Sequence, residues 1–343
     1  MGLNAALPVL VATLLAVATL SAAGGGKQPL KVGYYNGKHG GVEPIVRDEV
    51  YKTLNVDRSK GAALVRLFFH DCWVKGCDAS VLLNPSSKNP YPEKVAGSNI
   101  GLRAFDVIDK IKARLEAVYP GVVSCADILA FAARDATRYL SDGHIDYAVP
   151  SGRLDSVVSR AKDADDTLPS STGSFPDLKK NFGNKGFDVE ELVVLSGAHS
   201  IGVAHYPSFK DRLAAPQSEI DAKYQTALRN AAKNKSRTVA NDIRDESYSF
   251  KRDAGYYTVV SGRKDYLNNT YYHNAMDNRV LFKSDWVLRT DAFALSKLKE
   301  YRDKPKEWDS DFADAMVKLG KLLPAEGEGL LEIRKKCSAV NTY

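Results

Sequence analysis

Arg66 and His70 lie four residues apart in the segment ALVRLFFHDC, with Phe69 three residues beyond the arginine. On a helix this spacing gathers a cation, an imidazole and an aromatic ring on one face. A fixed cation beside a base suits a reaction that moves a proton while negative charge develops nearby. A structural Arg-His pair beside Asp71 is the competing reading, and this segment alone does not choose. In a second segment, ELVVLSGAHS, Leu192, Leu195 or Ser196, and His199 share a face. The imidazole then ends an apolar stripe, where it is either a core histidine or a ligand to a metal or haem in an enclosed site. A third segment, VVSCADILA, reads as the start of a buried helix, with Asp127 as its early-turn carboxylate.

The elements that must position these groups are mostly helices. Apolar residues recur at intervals of three and four over Val42 to Val56, Phe105 to Val118, Ala126 to Tyr139, Val189 to Ala198 and Phe312 to Leu322. Strand-like alternation is scarce. Loops rich in Pro, Ser, Asn and Gly fall at 84–101 and 168–175, and the stretch 232–270 is polar without a clear period. With 343 residues, 44% of them hydrophobic, the chain supports a full globular core and excludes a disordered or collagenous protein. The net charge of +6 is spread along the chain. It favours acidic surroundings such as a polyanionic polysaccharide and, without a basic cluster, not nucleic acid.

Residues 1–23 read as a signal peptide: an apolar run from Val9 to Leu20, then small residues Ser21-Ala22-Ala23. Residues 24–343 then form one extracytoplasmic unit, a mainly helical domain with two lobes around a cleft and no membrane span. Asn234-Lys235-Ser236 and Asn268-Asn269-Thr270 become possible glycosylation sites. Cys72, Cys77, Cys125 and Cys337 permit three pairings by sequence. A zinc site on His70, Cys72 and Cys77 lacks an evident fourth ligand.

Taken together, the segments closely resemble the secreted plant haem peroxidases of class III. RLFFHDCWVKGCDAS resembles their distal-helix motif, VVSCADILAFAARD the following helix, and VVLSGAHSIG the proximal-histidine motif. PEKVAGSN, VPSGRLDS, NTYY, KSD and EIRKKCSAVN extend the resemblance from about residue 30 to the C-terminus. It implies a mainly α haem peroxidase fold, with distal and proximal helical lobes enclosing one haem b. His199 would be the axial iron ligand, hydrogen-bonded to Asp285. His70 would move the proton of hydrogen peroxide, Arg66 would stabilise the departing charge, and Asn99 would orient His70. Phe69 would wall the pocket, and Pro150 would lie at the haem edge where donors bind.

The resemblance also implies calcium. The distal set would be Asp71, Asp78 and Ser80 with the carbonyls of Asp71, Val74 and Gly76 and a water held by Glu93, an all-oxygen set that suits calcium. A proximal set retains Ser200, but Asn268 replaces an expected aspartate and Val260 to Arg263 offers no carboxylate. The family carries two further cysteine pairs. His39, Tyr119 and Tyr206 stand where three of those cysteines are expected, and the region 230–234 has none. The implied bridges are Cys72 to Cys77 and Cys125 to Cys337. The reading is a secreted, monomeric, disulfide-bonded peroxidase of the cell wall or vacuole that uses hydrogen peroxide to oxidise small phenolic donors in one-electron steps. The rival classes are a binding protein without turnover and a zinc hydrolase, and a Soret band separates both from the peroxidase.

Overall fold

Val42, Val46, Val50 and Leu54 recur every four residues, and all four are buried on one side of α1 (Val42–Val56). The computed structural model describes residues 29–235, 237–242, 264–325 and 329–342. Residues 1–23, expected to be a signal peptide, Ser236 of the first sequon and Val260 to Arg263 lie outside the described residues. α2 (Ser59–Val74) is buried nearly all round, as a central helix must be. α3 (Phe105–Val118) buries Val107, Ile108, Ile111 and Leu115. α1, α2 and α3 all pack on α4 (Cys125–Leu140). Ser124 caps α4, its Oγ accepting from Asp127 N at 3.1 Å.

The second half continues with α5 (Ala161–Thr167), α6 (Phe175–Gly183), α7 (Val189–Ser196), α8 (Ala222–Ala231), α9 (Thr270–Met276), α10 (Lys283–Trp286), α11 (Ala292–Asp303) and α12 (Pro305–Leu319). Capping boxes at Ser174/Asp177 and Asp188/Glu191 open α6 and α7. α7 packs against α11 and α12, and α9 against α11. Among the described residues, sheet is confined to three two-residue antiparallel pairs: Lys31–Val32 with Pro150–Ser151, Asp155–Ser156 with Leu331–Glu332, and Val203–Ala204 with Val239–Ala240. One continuous hydrophobic core runs from Tyr35 to Cys337, and a smaller one gathers residues between Ala204 and Phe282. The disulfides are Cys72–Cys77 and Cys125–Cys337.

Three helical expectations shift. The stretch Phe312 to Leu322 is the later part of a helix that Pro305 opens and that ends at Leu319. The stretch Val189 to Ala198 stops being α-helical at Ser196 and tightens into a 3₁₀ turn, Gly197–Ser200, that carries His199. A side chain at Gly197 would start 2.6 Å from both Trp308 Nε1 and Tyr272 Oη, so only glycine lets this turn press on α9 and α12. Asp127 is more than an early-turn carboxylate. It is fully buried, pairs with Arg153 Nη1 at 2.7 Å, and accepts from Tyr35 Oη at 2.7 Å and Gly152 N at 2.8 Å.

Candidate active site

On the distal side α2 presents Arg66 and His70 one turn apart, and Arg66 Nε donates to His70 Nε2 at 3.1 Å. His70 Nδ1 lies 2.7 Å from Asn99 Oδ1, and the Asn99 amide donates to the Glu93 carbonyl at 2.7 Å. An amide oxygen facing Nδ1 requires the proton there, which leaves Nε2 as the lone-pair nitrogen. Burial above all, then the charge of Arg66, holds the imidazole pKa down to about 3, with Asn99 pulling the other way. His70 is therefore a neutral, oriented base. Phe69 stacks on Trp73 at 4.8 Å and meets the His70 ring edge-on at 6.1 Å.

On the proximal side His199 Nδ1 lies 2.8 Å from Asp285 Oδ1, and Tyr271 Oη donates to the same oxygen at 3.1 Å. Phe282 meets the imidazole edge-on at 4.9 Å. His199 Nε2 has no hydrogen bond among the described residues, and the side chain is 39% exposed in otherwise buried surroundings. An imidazole fixed by a carboxylate through one nitrogen and open at the other is the donor that an axial haem ligand needs. The residues present therefore fit haem. Contacts across the lobes join the two sides: Gly202 packs on Ala62 of α2, one turn from Arg66, and His205 packs on Gly101, two residues past Asn99.

Pro150 does not join this constellation. It pairs with Val32 in a buried strand and lines a groove with Tyr147, Asp309 and Val317, on the side of α12. The proline-containing loop tied to the proximal side is 168–174, where Ser171 O accepts from Ser284 N beside Asp285 at 2.9 Å. The resemblance drew attention to the VPSGRLDS motif, whose structural work is instead the Arg153–Asp127 pair.

The expected distal calcium ligands are clustered and under-satisfied. Asp71, Asp78, Ser80 and Glu93 are all buried. Asp71 Oδ1, Ser80 Oγ and Glu93 Oε2 are buried atoms without a hydrogen-bond partner among the described residues. Burial foremost raises all three carboxyl pKa values, that of Asp78 to about 6, and the neighbouring carboxylates raise Asp71 and Glu93 further. A divalent cation would relieve this crowding. Among the described residues no three His, Cys, Asp or Glu side chains form a ready metal cage, so main-chain carbonyls must complete the set. Gly76, at φ +106, packs on the Leu323–Pro324 backbone. The Val74 carbonyl already accepts from Lys185 Nζ at 2.9 Å, a partner the sequence did not suggest.

In the proximal set Ser200 Oγ is buried without a hydrogen-bond partner among the described residues, but the other candidate ligands are committed elsewhere. Asn268 Oδ1 accepts from Thr270 N at 3.0 Å and from Thr270 Oγ1, and Asp265 Oδ1 accepts from Gly202 N at 2.6 Å. Ser200 is buried next to His199. Asn268 is 4% exposed, which removes it as a glycan acceptor, whereas Asn234 is at the surface.

The peroxidase family model matches residues 46–304. The chain belongs to the peroxidase family. It is 40% identical to peroxidase 2 of Zea mays over 98% of this chain and 96% of that protein. It is 39% identical to peroxidase 5 of Vitis vinifera over 91% and 92%, and 37% identical to peroxidase 39 of Arabidopsis thaliana over 91% and 93%. These relatives group it with the class III plant peroxidases, haem oxidoreductases that use hydrogen peroxide and donor substrates. The mainly helical architecture is the haem peroxidase fold. Phe282 and Lys185 were not singled out in the sequence, and Tyr271 was noted there only as one of the paired tyrosines of the NTYY segment.

Proposed function

We propose that this peroxidase oxidises small phenolic donors by one-electron steps, with His70, Arg66 and Asn99 acting on peroxide and His199 and Asp285 holding the haem. The observation that carries this reading is the pair of oriented histidines, each fixed through Nδ1 by an oxygen acceptor. His199 would hold haem b, which would supply the two-electron chemistry toward hydrogen peroxide and the one-electron chemistry toward donors. His70 Nε2 would take a proton from hydrogen peroxide and deliver it to the departing oxygen. The Arg66 guanidinium stabilises the negative charge on that departing oxygen. Asn99 keeps the proton on His70 Nδ1, so Nε2 stays basic. The Asp285 carboxylate draws on the His199 Nδ1 proton and makes the ligand nitrogen more electron-rich.

Phe69 narrows the distal pocket, and the 70% exposed Ile100, beside Asn99, offers an apolar rim to an aromatic donor. One calcium would be held at the distal cluster by Asp71, Asp78 and Ser80 with the carbonyls of Asp71, Val74 and Gly76 and a water on Glu93. Glu93 links that ion to His70, because its carbonyl accepts from Asn99. No proximal calcium is proposed, given the commitments of Asn268 and Asp265. The paired cysteines suit an oxidising compartment, and with the leader at residues 1–23 they support a secreted monomer of the plant cell wall, near acidic polysaccharide. Stopped-flow mixing of haem-loaded protein with peroxide, then with a phenol, tests the reading. A Soret band, a fast peroxide phase lost in His70→Ala, and a slower phase that scales with phenol concentration are expected. An unchanged peroxide phase in His70→Ala overturns it.

A further inference from the structure

From His199 an unbroken file of aromatic rings runs through the second half of the chain. The Tyr271 ring lies 6.2 Å from the His199 ring, Tyr272 lies 5.1 Å from Tyr271, and Tyr301 lies 5.4 Å from Tyr272, centroid to centroid. Trp308 branches off 5.9 Å from Tyr272. α9 supplies the first two tyrosines, α11 Tyr301 and α12 Trp308. All four side chains are at most 1% exposed.

Electron transfer through protein weakens exponentially with distance, so successive rings at these separations divide one long step into short ones. A phenol, however, gives up an electron readily only where its proton has a base to go to. The hydroxyl partners therefore tell the tyrosines apart. Tyr271 donates to the Asp285 carboxylate. Tyr301 Oη lies 2.8 Å from Asp311 Oδ2 and 2.9 Å from Glu190 Oε1. Among the described residues Tyr272 Oη donates to the main-chain carbonyls of Val193 and Val194, at 3.1 and 3.2 Å, with no carboxylate bonded to it, and Trp308 Nε1 donates to the Val194 carbonyl at 3.2 Å. Amide carbonyls cannot take the proton, so Tyr272 bridges and Tyr301 terminates the path. Glu190, whose side chain is 34% exposed and paired with Lys297 Nζ at 2.7 Å, connects the terminus to solvent.

We propose that Tyr301 is a redox-active residue at the end of a Tyr271–Tyr272–Tyr301 relay, drawing one oxidising equivalent away from the haem side of His199 when no donor is present. One electron leaves Tyr301 and passes through Tyr272 and Tyr271 to the peroxide-oxidised centre, which is reduced by one electron. The phenolic proton moves to Asp311 or Glu190, leaving a neutral tyrosyl radical. A later donor returns the electron, and the carboxylic acid returns the proton. Because the Tyr301 ring is buried, the terminus stores the equivalent and is not a second surface for bulky donors. The oxidant is supplied by the peroxidase reaction itself, so the relay depends neither on the donor class nor on calcium.

Haem-loaded enzyme mixed with an equimolar amount of hydrogen peroxide, without donor, and freeze-quenched is read by electron paramagnetic resonance. A tyrosyl signal is expected that disappears in Tyr301→Phe while the initial rate of peroxide consumption is unchanged. The Glu190→Gln/Asp311→Asn double variant keeps every ring in place and removes only the proton acceptors, and it should lose most of the signal. That variant decides the matter if Tyr301→Phe does not load haem. No tyrosyl signal in the parent enzyme, or a signal of equal shape and yield in these variants, overturns the relay.

Discussion

Lys185 places a positive charge on an oxygen that the distal calcium would share. Its Nζ sits 2.9 Å from the Val74 carbonyl, and calcium binds oxygen at about 2.3–2.6 Å, so the two cations would be no more than about 5 Å apart on opposite lone pairs. A unit charge and a divalent ion at that separation repel by about 1.7 kcal/mol even with the dielectric constant of water. Burial already depresses the Lys185 pKa, with the nearby Lys75 adding to the effect, so the local environment screens less than water does. The repulsion is thus a lower bound, and Lys185→Met should tighten calcium by at least roughly tenfold.

Competition with a chromophoric chelator at fixed ionic strength measures this directly on the haem-loaded protein. Raising the salt should weaken the repulsion and narrow the gap between wild type and Lys185→Met. Methionine keeps most of the apolar stem against its neighbours, so a general loss of packing is not expected. Equal or weaker calcium binding in Lys185→Met would refute the assignment of the Val74 carbonyl as a ligand.

Calcium at 1,000 times its dissociation constant should add about 4 kcal/mol, which over 343 residues at about 2.1 cal/mol/K each raises Tm by roughly 6 °C relative to chelated protein; a calorimetric scan unmoved by chelator would rule the ion out. His199→Ala should lose the Soret band, whereas His70→Ala should keep it and react with peroxide at least roughly 10²–10⁴-fold more slowly in stopped flow. Replacing Cys125 and Cys337 by serine opens a link spanning 212 residues and should lower stability by up to about 5 kcal/mol, read from the denaturant midpoint. Arg153→Met leaves the fully buried Asp127 without its cation and should cost about 3–5 kcal/mol, read from the denaturant midpoint; a variant as stable as wild type would show that the Tyr35 and Gly152 bonds suffice.

What could be read in the sequence was whatever rests on local spacing. The four-residue rhythm of Val42, Val46, Val50 and Leu54 marks α1 to the residue, and the Arg66–His70 spacing needs only a helix to become a contact. Partners set by tertiary folding were reached through family resemblance, as with Asn99 for His70 and Asp285 for His199, 29 and 86 residues away. Some contacts of the expected site residues come from this chain's own packing and were not legible in either way. Pro150 is held by a strand pair with Val32 at its edge, and Lys185 is recruited by a main-chain carbonyl, which no side-chain pattern can announce. The 3₁₀ turn under His199 escaped the helical period because Trp308 and Tyr272 impose it through Gly197.

The cysteine substitutions follow the same logic of local contact. His39 and Tyr119 meet edge to face at 5.4 Å, and Tyr206 packs on Phe209 at 5.9 Å under Lys235 Nζ at 5.5 Å. Each contact is worth about 0.5–1.5 kcal/mol, less than the typical 2–4 kcal/mol of a bridge, so these pairs hold local geometry without restoring the covalent constraint. The retained Cys125–Cys337 link stands where geometry reaches the chemistry. Asp155 accepts from Cys125 N at 3.0 Å and from Arg334 N at 2.9 Å, which ties both ends of the bridge to one carboxylate. Arg334, fully buried, donates to the carbonyls of Cys337 and Ala79, and the Ala79 amide donates in turn to Asp71 Oδ2 at 3.0 Å. The C-terminal segment thereby props the carboxylate next to His70, so the bridge that ties this segment to the start of α4 also fixes the floor of the distal site.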